Sequence, residues 1–258
     1  MHTAGFTIID NVTVPEKVST QNLFEKRYLE LRSKEQRVYS DEALLRLPEV
    51  APDHPYYSEW QLRKRSAEKL VQWLRKKHQP LRILEVGCGN GWLAKQLATI
   101  PASKVIGSDI NFTELQQAAK VFSTVPGLHF IYGDIRHGLF KEMEFDCVIF
   151  AASIQYFPSP HGIISTALSL LKTGGEVHIL DSPFYRQGDV MAAQKRTAAY
   201  YTDLGFPEMI PHYYHHTWDA LDSFDHELLY DPSSLQLFFS KNKNPFPWIC
   251  IRSEAKVV

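Results

Sequence analysis

Cysteine is scarce in this 258-residue chain. Cys88, Cys147 and Cys250 are far apart, odd in number and form no C-x-x-C pair. That excludes a disulfide framework and a zinc ribbon, and a reducing compartment fits best. Long apolar runs are missing too: none reaches the ~18–20 residues that span a bilayer. The opening MHTAGFTIIDNVTVPEK lacks a basic stretch followed by an apolar one. No signal peptide is read there, and a soluble, cytoplasmic protein is expected. Neither charge sign is in excess: 28 lysines and arginines face 29 aspartates and glutamates, a formal net charge of −1. This balance gives no electrostatic footing for a nucleic-acid polyanion. Repeats and low-complexity tracts are absent as well.

What is there is an ordinary globular composition, 44% hydrophobic and 22% charged. The length suits one α/β domain with an added extension or lid. Residues 1–57 are expected to form an N-terminal helical extension, and residues 58–258 the main domain. Residues 1–15 read as a loose lead-in ending near Pro15. Ser19 to Leu47 is charged and helical in character, and Pro48, Pro52 and Pro55 then break it. A helix is expected to start at Tyr57–Leu62, with Ser58 as its cap and Gln61 completing a capping box. Leu62, Leu70, Val71, Trp73 and Leu74 mark one face, and cations crowd the last turn.

From residue 81 the pattern alternates. Strands are expected at Leu81–Val86, Lys104–Ser108, Leu128–Tyr132, Phe145–Phe150 and Glu176–Leu180. Helices are expected at Trp92–Ala98, at Thr113–Phe122 behind an Asn111 cap, and at Ile163–Leu171. Such alternation, with near-continuous apolar strands, means a parallel sheet covered on both faces. Beyond Asp181 a helix is read at Met191–Leu204, stopped by Gly205 and Pro207. Strands at Glu227–Tyr230 and Trp248–Arg252 close the chain, with Ser233–Ser240 ambiguous between helix and strand.

The most informative stretch is Ile83-Leu84-Glu85-Val86-Gly87-Cys88-Gly89-Asn90-Gly91-Trp92. A strand runs into a glycine turn that opens a helix, so a ligand can approach the backbone closely. Asp109 ends the next strand, where a carboxylate can accept hydrogen bonds from ribose hydroxyls. A dinucleotide fingerprint needs a third glycine where Trp92 stands. Glu85, close ahead of the loop, suits a cationic ligand better than a pyrophosphate.

ILEVGCGNG resembles the first motif of the class I S-adenosylmethionine-dependent methyltransferases. Four further pieces agree in order: VIGSDIN, YGDI, FDCVIFAASIQYF and LLKTGGEVHILD. The resemblance covers roughly residues 58–182. It implies a Rossmann-like α/β fold, with a seven-stranded, mostly parallel sheet, helices on both faces and a last strand inserted antiparallel. It implies S-adenosylmethionine as cofactor. Glu85, Gly87, Gly89 and Gly91 would surround its methionine part, with Cys88 and Asn90 in the same loop. Asp109, followed by Ile110 and Asn111, would take the ribose. Asp134 would face the adenine amino group, Ile135 would pack on the ring, and Ala151 would lie nearby. Cys88 reads as a small loop residue, since methyl transfer from a sulfonium needs no nucleophilic thiol.

Methyl transfer is an in-line displacement, so the protein mainly aligns two reactants and excludes water. An oxygen acceptor also needs a base, and histidine suits neutral pH. Tyr156 follows the fourth strand of the motif series, where an acceptor is oriented. The acidic or Asn residue, two prolines and aromatic of DNA-base amino methyltransferases are missing there. The densest aromatic and histidine cluster runs from His212 to Asp219. It lies in an insert at about 183–225, between the fifth and sixth strands of that series, where a lid is expected. His215 or His216 is the candidate base. A metal held by His212, His216 and Asp219 would need a helix that Pro211 disfavours, so no metal is expected. Tyr28, Tyr57, Trp60 and Arg63 are expected to reach the cofactor crevice, with Arg63 or Arg65 pairing its carboxylate.

The reading is a small-molecule methyltransferase, with neither nucleic acid nor membrane as partner. The acceptor atom and oligomeric state are left open. Two rivals stand beside it: a non-catalytic cofactor-binding or partner-binding module on the same fold, and a nicotinamide dehydrogenase, which Trp92 disfavours.

Overall fold

The structure is a computed structural model that describes residues 5–16, 23–234 and 243–253. The expectation at Ser19, and most of that at Ser233–Ser240, falls outside these residues.

The centre is a parallel sheet of strands whose side chains leave no polar face. β3 (Arg82–Val86), β4 (Lys104–Asp109), β5 (Leu128–Tyr132), β6 (Phe145–Ala151) and β7 (Leu171–Leu180) pair in the order β5-β4-β3-β6-β7. Ile83, Leu84, Val148, Ile149 and Val177 are fully buried, the signature of a sheet covered on both sides. α4 (Trp92–Leu97), α5 (Phe112–Val121) and α6 (Pro160–Leu170) follow β3, β4 and β6. α3 (Tyr57–Arg75) precedes β3 and buries Trp60, Ala67, Leu70, Val71 and Leu74. Two separate apolar clusters line the faces: Leu70, Leu93 and Leu115 share one, and Phe145, Ile164 and Phe150 the other.

β9 (Trp248–Arg252) runs antiparallel between β7 and β8 (His226–Tyr230). The inserted last strand is therefore present. Among the described residues, however, the sheet has nine strands rather than the expected seven. The lead-in and the wholly helical extension are corrected here. β1 (Phe6–Ile9) and β2 (Val12–Pro15) form a hairpin, and β2 adds parallel to β5. Asp10 and Asn11 adopt positive φ at its turn, which such short polar residues tolerate. α1 (Leu23–Lys34) and α2 (Asp41–Arg46) follow, so the extension is mixed.

α5 carries the reciprocal capping expected of Asn111: its Oδ1 accepts from the Glu114 N–H at 3.1 Å, and its Nδ2 donates to Glu114 Oε2 at 2.9 Å. α3 lacks the expected box and starts two residues earlier, with Tyr56 rather than Ser58 at the cap and no side-chain bond. Between β7 and β8 the insert forms α7 (Val190–Leu204), ended by left-handed Gly205, and three 3-10 turns, Gln187–Asp189, Pro207–His212 and Trp218–Leu221. None of the helices among the described residues is long and apolar enough to cross a membrane.

Candidate functional site

Parallel strands share one carboxyl edge, and the turns after β3, β4, β5, β6 and β7 gather there. That edge opens into a cavity of about 1060 Å³, roofed by α1, α3 and the insert. Its floor is the glycine turn. Gly87 has φ +73°, and a Cβ there would stand 2.5 Å from the Ser153 Cβ. Ser153 donates its hydroxyl to the Val86 carbonyl at 2.6 Å, tying the end of β6 to the loop. Gly91, also at φ +73°, faces the Phe130 ring rather than the cavity.

Asp109 fixes the loop from the neighbouring strand. Its Oδ2 accepts from the Gly89 N–H at 2.7 Å, and its Oδ1 from the Asn111 N–H at 2.9 Å. Burial raises its pKa, and these backbone N–H groups oppose the rise. Glu85, only 2% exposed, is pushed up to about 8 by burial and then by the Asp109 charge, against a hydrogen bond from the Ala94 backbone. Its Oε2 has no hydrogen-bond partner among the described residues. Glu114 is pushed up to about 7 by burial and by Asp109. Three acids thus crowd one loop, an arrangement that a cationic ligand relieves. Glu114 reads from sequence only as half of a helix cap, yet it also lines the cavity.

Of the other residues singled out for cofactor, Gly87, Cys88, Gly89, Asn90, Ile110 and Asn111 line this end. Ala151, Asp134 and Ile135 do so as well. The Cys88 thiol is buried and pushed well up, which keeps it protonated and inert. Asp134 is held below its ordinary value: burial pushes it up, but the hydrogen bonds and charge of Arg136 outweigh that. Arg63 lines the cavity and pairs with Glu59 at 3.0 Å; Arg65 is not in the wall. Trp60 is packed, donating Nε1–H to the Tyr39 hydroxyl at 2.8 Å and meeting Trp92 edge-on.

Another part of the wall is aromatic. Tyr156 lies beside Tyr28 of α1, ring centroids 6.2 Å apart and nearly perpendicular, and beside Tyr213 at 5.8 Å. Phe24 stands edge-on to His212 at 4.7 Å. Tyr28 was singled out in the sequence; Arg32, Glu35, Arg37 and Glu59 were not, although they line the same wall. The spacing of Phe24, Tyr28 and Arg32, four residues apart on a helix, is the signal that puts them on one face.

The two candidate bases are not in that wall. His216 is buried, and its Nε2 lies 3.1 Å from the Ile154 carbonyl oxygen, to which it donates. His215 is half-buried, with Nε2 2.9 Å from the Thr197 hydroxyl. Burial lowers the pKa of both rings. His212, His216 and Asp219 do not gather as a ligand group among the described residues. Glu176, His178 and Cys250 do come together behind β7, but Lys77 stands 3.0 Å from Glu176 and Arg252 3.7 Å. Two cations there take the place of a metal charge.

Comparison with known proteins gives one consistent result. Residues 83–175 match the family model described as "Methyltransferase domain". A malonyl-[acyl-carrier protein] O-methyltransferase of Halalkalibacterium halodurans is 29% identical over 131 residues, 47% of this chain and 48% of that protein. A sterol 24-C-methyltransferase of Saccharomyces cerevisiae is 29% identical over 136 residues, 52% of this chain and 35% of that protein. The chain thus spans less than half the length of these curated relatives. Among solved structures, magnesium protoporphyrin IX methyltransferase of Synechocystis PCC 6803, with bound SAH, aligns at a TM-score of 0.55 and 15% identity. That alignment covers 89% of this chain and 94% of the other, and carries the fold.

Proposed function

Because this chain belongs to the class I S-adenosylmethionine-dependent methyltransferases, we propose that it is an enzyme that methylates a small organic acceptor. The carrying observation is the make-up of one cavity. Its wall holds the acids Glu85, Asp109 and Glu114 around the glycine loop and the rings of Tyr28, Tyr156 and Tyr213.

The residues present fit the cofactor. A buried carboxylate oxygen on Glu85 lacks a partner, and the cofactor carries an ammonium and a sulfonium. When bound, it supplies an electrophilic methyl group and a neutral thioether leaving group. Glu85 and the backbone around Gly87 would hold its amino-acid part. Asp109 would accept from the ribose hydroxyls while keeping its bond from Gly89. Ile135 would pack on the adenine, and Asp134 would accept from its amino group. Arg63 is the candidate for its carboxylate. α1 and the insert close the cavity over both reactants, which raises alignment and removes water.

Tyr156 is the residue proposed to orient the acceptor. It follows β6 in the wall, next to Ser153, whose hydroxyl bond to Val86 links it to the glycine turn. Neither His215 nor His216 is proposed as base, since each ring nitrogen near the site is already committed to a protein partner.

Calorimetric titration with S-adenosylmethionine and its demethylated product, S-adenosylhomocysteine, tests the reading, with NADH as control. Micromolar binding of the two sulfur ligands and none of NADH is expected. No binding of either would favour the non-catalytic module instead.

A further inference from the structure

The cavity wall carries both acids and cations. Glu85, Asp109 and Glu114 surround the glycine loop, and Arg32, Arg37 and Arg63 stand on the N-terminal helices and the loop between them. Two acids partner those three guanidiniums. Glu59 takes Arg37 through two hydrogen bonds, at 2.9 and 2.6 Å, and Arg63 at 3.0 Å. Glu35 takes Arg32 at 3.1 Å, with Arg37 Nε at 3.8 Å, and also accepts from the Tyr200 hydroxyl. Asp181, a further acid in the wall, is held by Ser66 at 2.7 Å and Asn244 at 3.2 Å, and forms no ion pair among the described residues.

Arg32 and Arg37 each keep a buried Nε without a hydrogen-bond partner among the described residues, and Arg32 is the less bonded of the two. A guanidinium offers five N–H donors. Arg32 makes one hydrogen bond, from Nη1 to Glu35, and lies 5.3 Å from the Tyr28 ring centroid. Its Nε is buried without a partner among the described residues. A cation recessed from water needs acceptors, or its burial is costly. Glu35 holds one Nη, and the Tyr28 phenol beside it is pushed up by burial and stays neutral, but neither meets the Nε. The wall beside Arg32 is aromatic, with Tyr156 edge-on to Tyr28. Positive charge and aromatic surface therefore face one volume.

Resting on the methyl-transfer reading, we propose that Arg32 binds an anionic group of the acceptor, and that the acceptor class is a carboxylate on an aromatic or apolar frame. The guanidinium fork meets a carboxylate with paired, charge-assisted hydrogen bonds. The ring edges of Tyr28, Tyr156 and Tyr213 take the frame. Arg32 is then a specificity-determining residue of the transfer reaction.

The test has two stages. S-adenosylhomocysteine is first titrated into the wild-type protein and Arg32→Gln. The protein saturated with that ligand is then titrated with matched pairs: benzoate and benzamide, 4-hydroxyphenylacetate and its amide, hexanoate and hexanamide. The expected result is equal cofactor-product affinity in both proteins, with at least one acid bound about tenfold more tightly than its amide by wild type. Arg32→Gln should lose that preference and Arg32→Lys keep part of it, since the charge remains but the fork does not. The acid-over-amide comparison stands on wild type alone should either variant fold poorly. Acids and amides bound alike, or no acid bound at millimolar concentration, would overturn the acceptor assignment. So would a loss of S-adenosylhomocysteine affinity in Arg32→Gln, because Arg32 would then serve the cofactor's own carboxylate. Failure of wild type to bind S-adenosylhomocysteine in the first stage would instead overturn the methyl-transfer reading, before any acid is added.

Discussion

The Gly89 N–H donates to Asp109 Oδ2 at 2.7 Å, joining two strand ends 20 residues apart. The carboxylate thus organises the loop before it meets any ligand. Asp109→Ala removes this support and a proposed ribose contact together. We expect the affinity for S-adenosylhomocysteine to fall by about 1.5–3 kcal/mol, roughly 10- to 100-fold. Calorimetry measures it, and an unchanged dissociation constant would exclude the ribose role.

The glycine at the mouth of β3 is a steric requirement. At Gly87 a methyl group meets the Ser153 Cβ at 2.5 Å, and φ is +73°. Gly87→Ala should lower stability by about 1–3 kcal/mol. Thermal unfolding of the apoprotein reads this, and a double variant with Ser153→Gly should recover the steric part. A single variant as stable as wild type would mean that the turn relaxes freely.

Protonation of Glu85 gives a signed pH dependence. Its folded pKa is raised to about 8, against an ordinary value of 4.5. The folded state therefore holds a proton that the unfolded state has lost. The stabilisation from this group is fully present below pH 4.5 and is lost as pH rises through about 8. Glu85→Gln should remove that fall, so its apoprotein melts higher than wild type at pH 8.5, by about 2–4 °C for each kcal/mol gained. Cofactor affinity should move the other way in wild type, rising from pH 6 to 8.5 as the carboxylate ionises, and Glu85→Gln should flatten the rise. Parallel melting curves for the two proteins from pH 5 to 9 would rule out a buried titration.

How much of this was legible beforehand depends on local periodicity. β3 to β7 show as apolar runs because both faces are covered, and the Asn111 cap shows because its partner Glu114 lies three residues on. The hairpin does not show: all four residues of β1 are exposed, so the strand carries no apolar alternation, and β2 gains its burial through tertiary contacts, beside β5 and in one cluster with the α5 side chains. The arginine wall is nearly as hidden. α1 is charged along its length, and the four-residue spacing puts Arg32 on one face with Phe24 and Tyr28 without saying that this face turns inward while Arg27 pairs with Glu30 outside. Histidine density is ambiguous in another way. A run of histidines and tyrosines marks a packed insert, and only the tertiary fold decides that Tyr213 faces the cavity while His216 turns to Ile154.

Tyr156 separates acceptor handling from cofactor binding. Tyr156→Phe retains the ring that meets Tyr28 and Tyr213 and removes only the hydroxyl. Turnover should fall about 10- to 100-fold while S-adenosylhomocysteine affinity stays within twofold, an estimate for losing one transition-state hydrogen bond. Equal losses in both would place the hydroxyl on the cofactor instead.

His216 is expected to act on stability rather than on proton transfer. Its ring donates to the carbonyl of Ile154, which opens the turn carrying Tyr156, and its own carbonyl accepts from the Tyr185 N–H at 2.9 Å. His216→Ala would remove this bond while the Ile154 carbonyl keeps the one from the Phe157 N–H at 3.1 Å, so the loss is that of one hydrogen bond, about 0.5–1.5 kcal/mol. His216→Gln can supply an N–H and should recover part of it. Burial lowers the histidine pKa below 6.5, so the unfolded chain takes the proton first on acidification. The stability tied to the neutral ring is present above 6.5 and is lost as pH falls through the lower folded value. Acid-side melting should therefore flatten in His216→Gln. The pH–rate profile separates the two roles: a general base would take its ionisation step with it, whereas a structural ring leaves the profile in place. An overlaid profile with a lowered melting temperature is the expected pair of results, and disappearance of the acid limb of turnover in His216→Gln would restore the histidine as base.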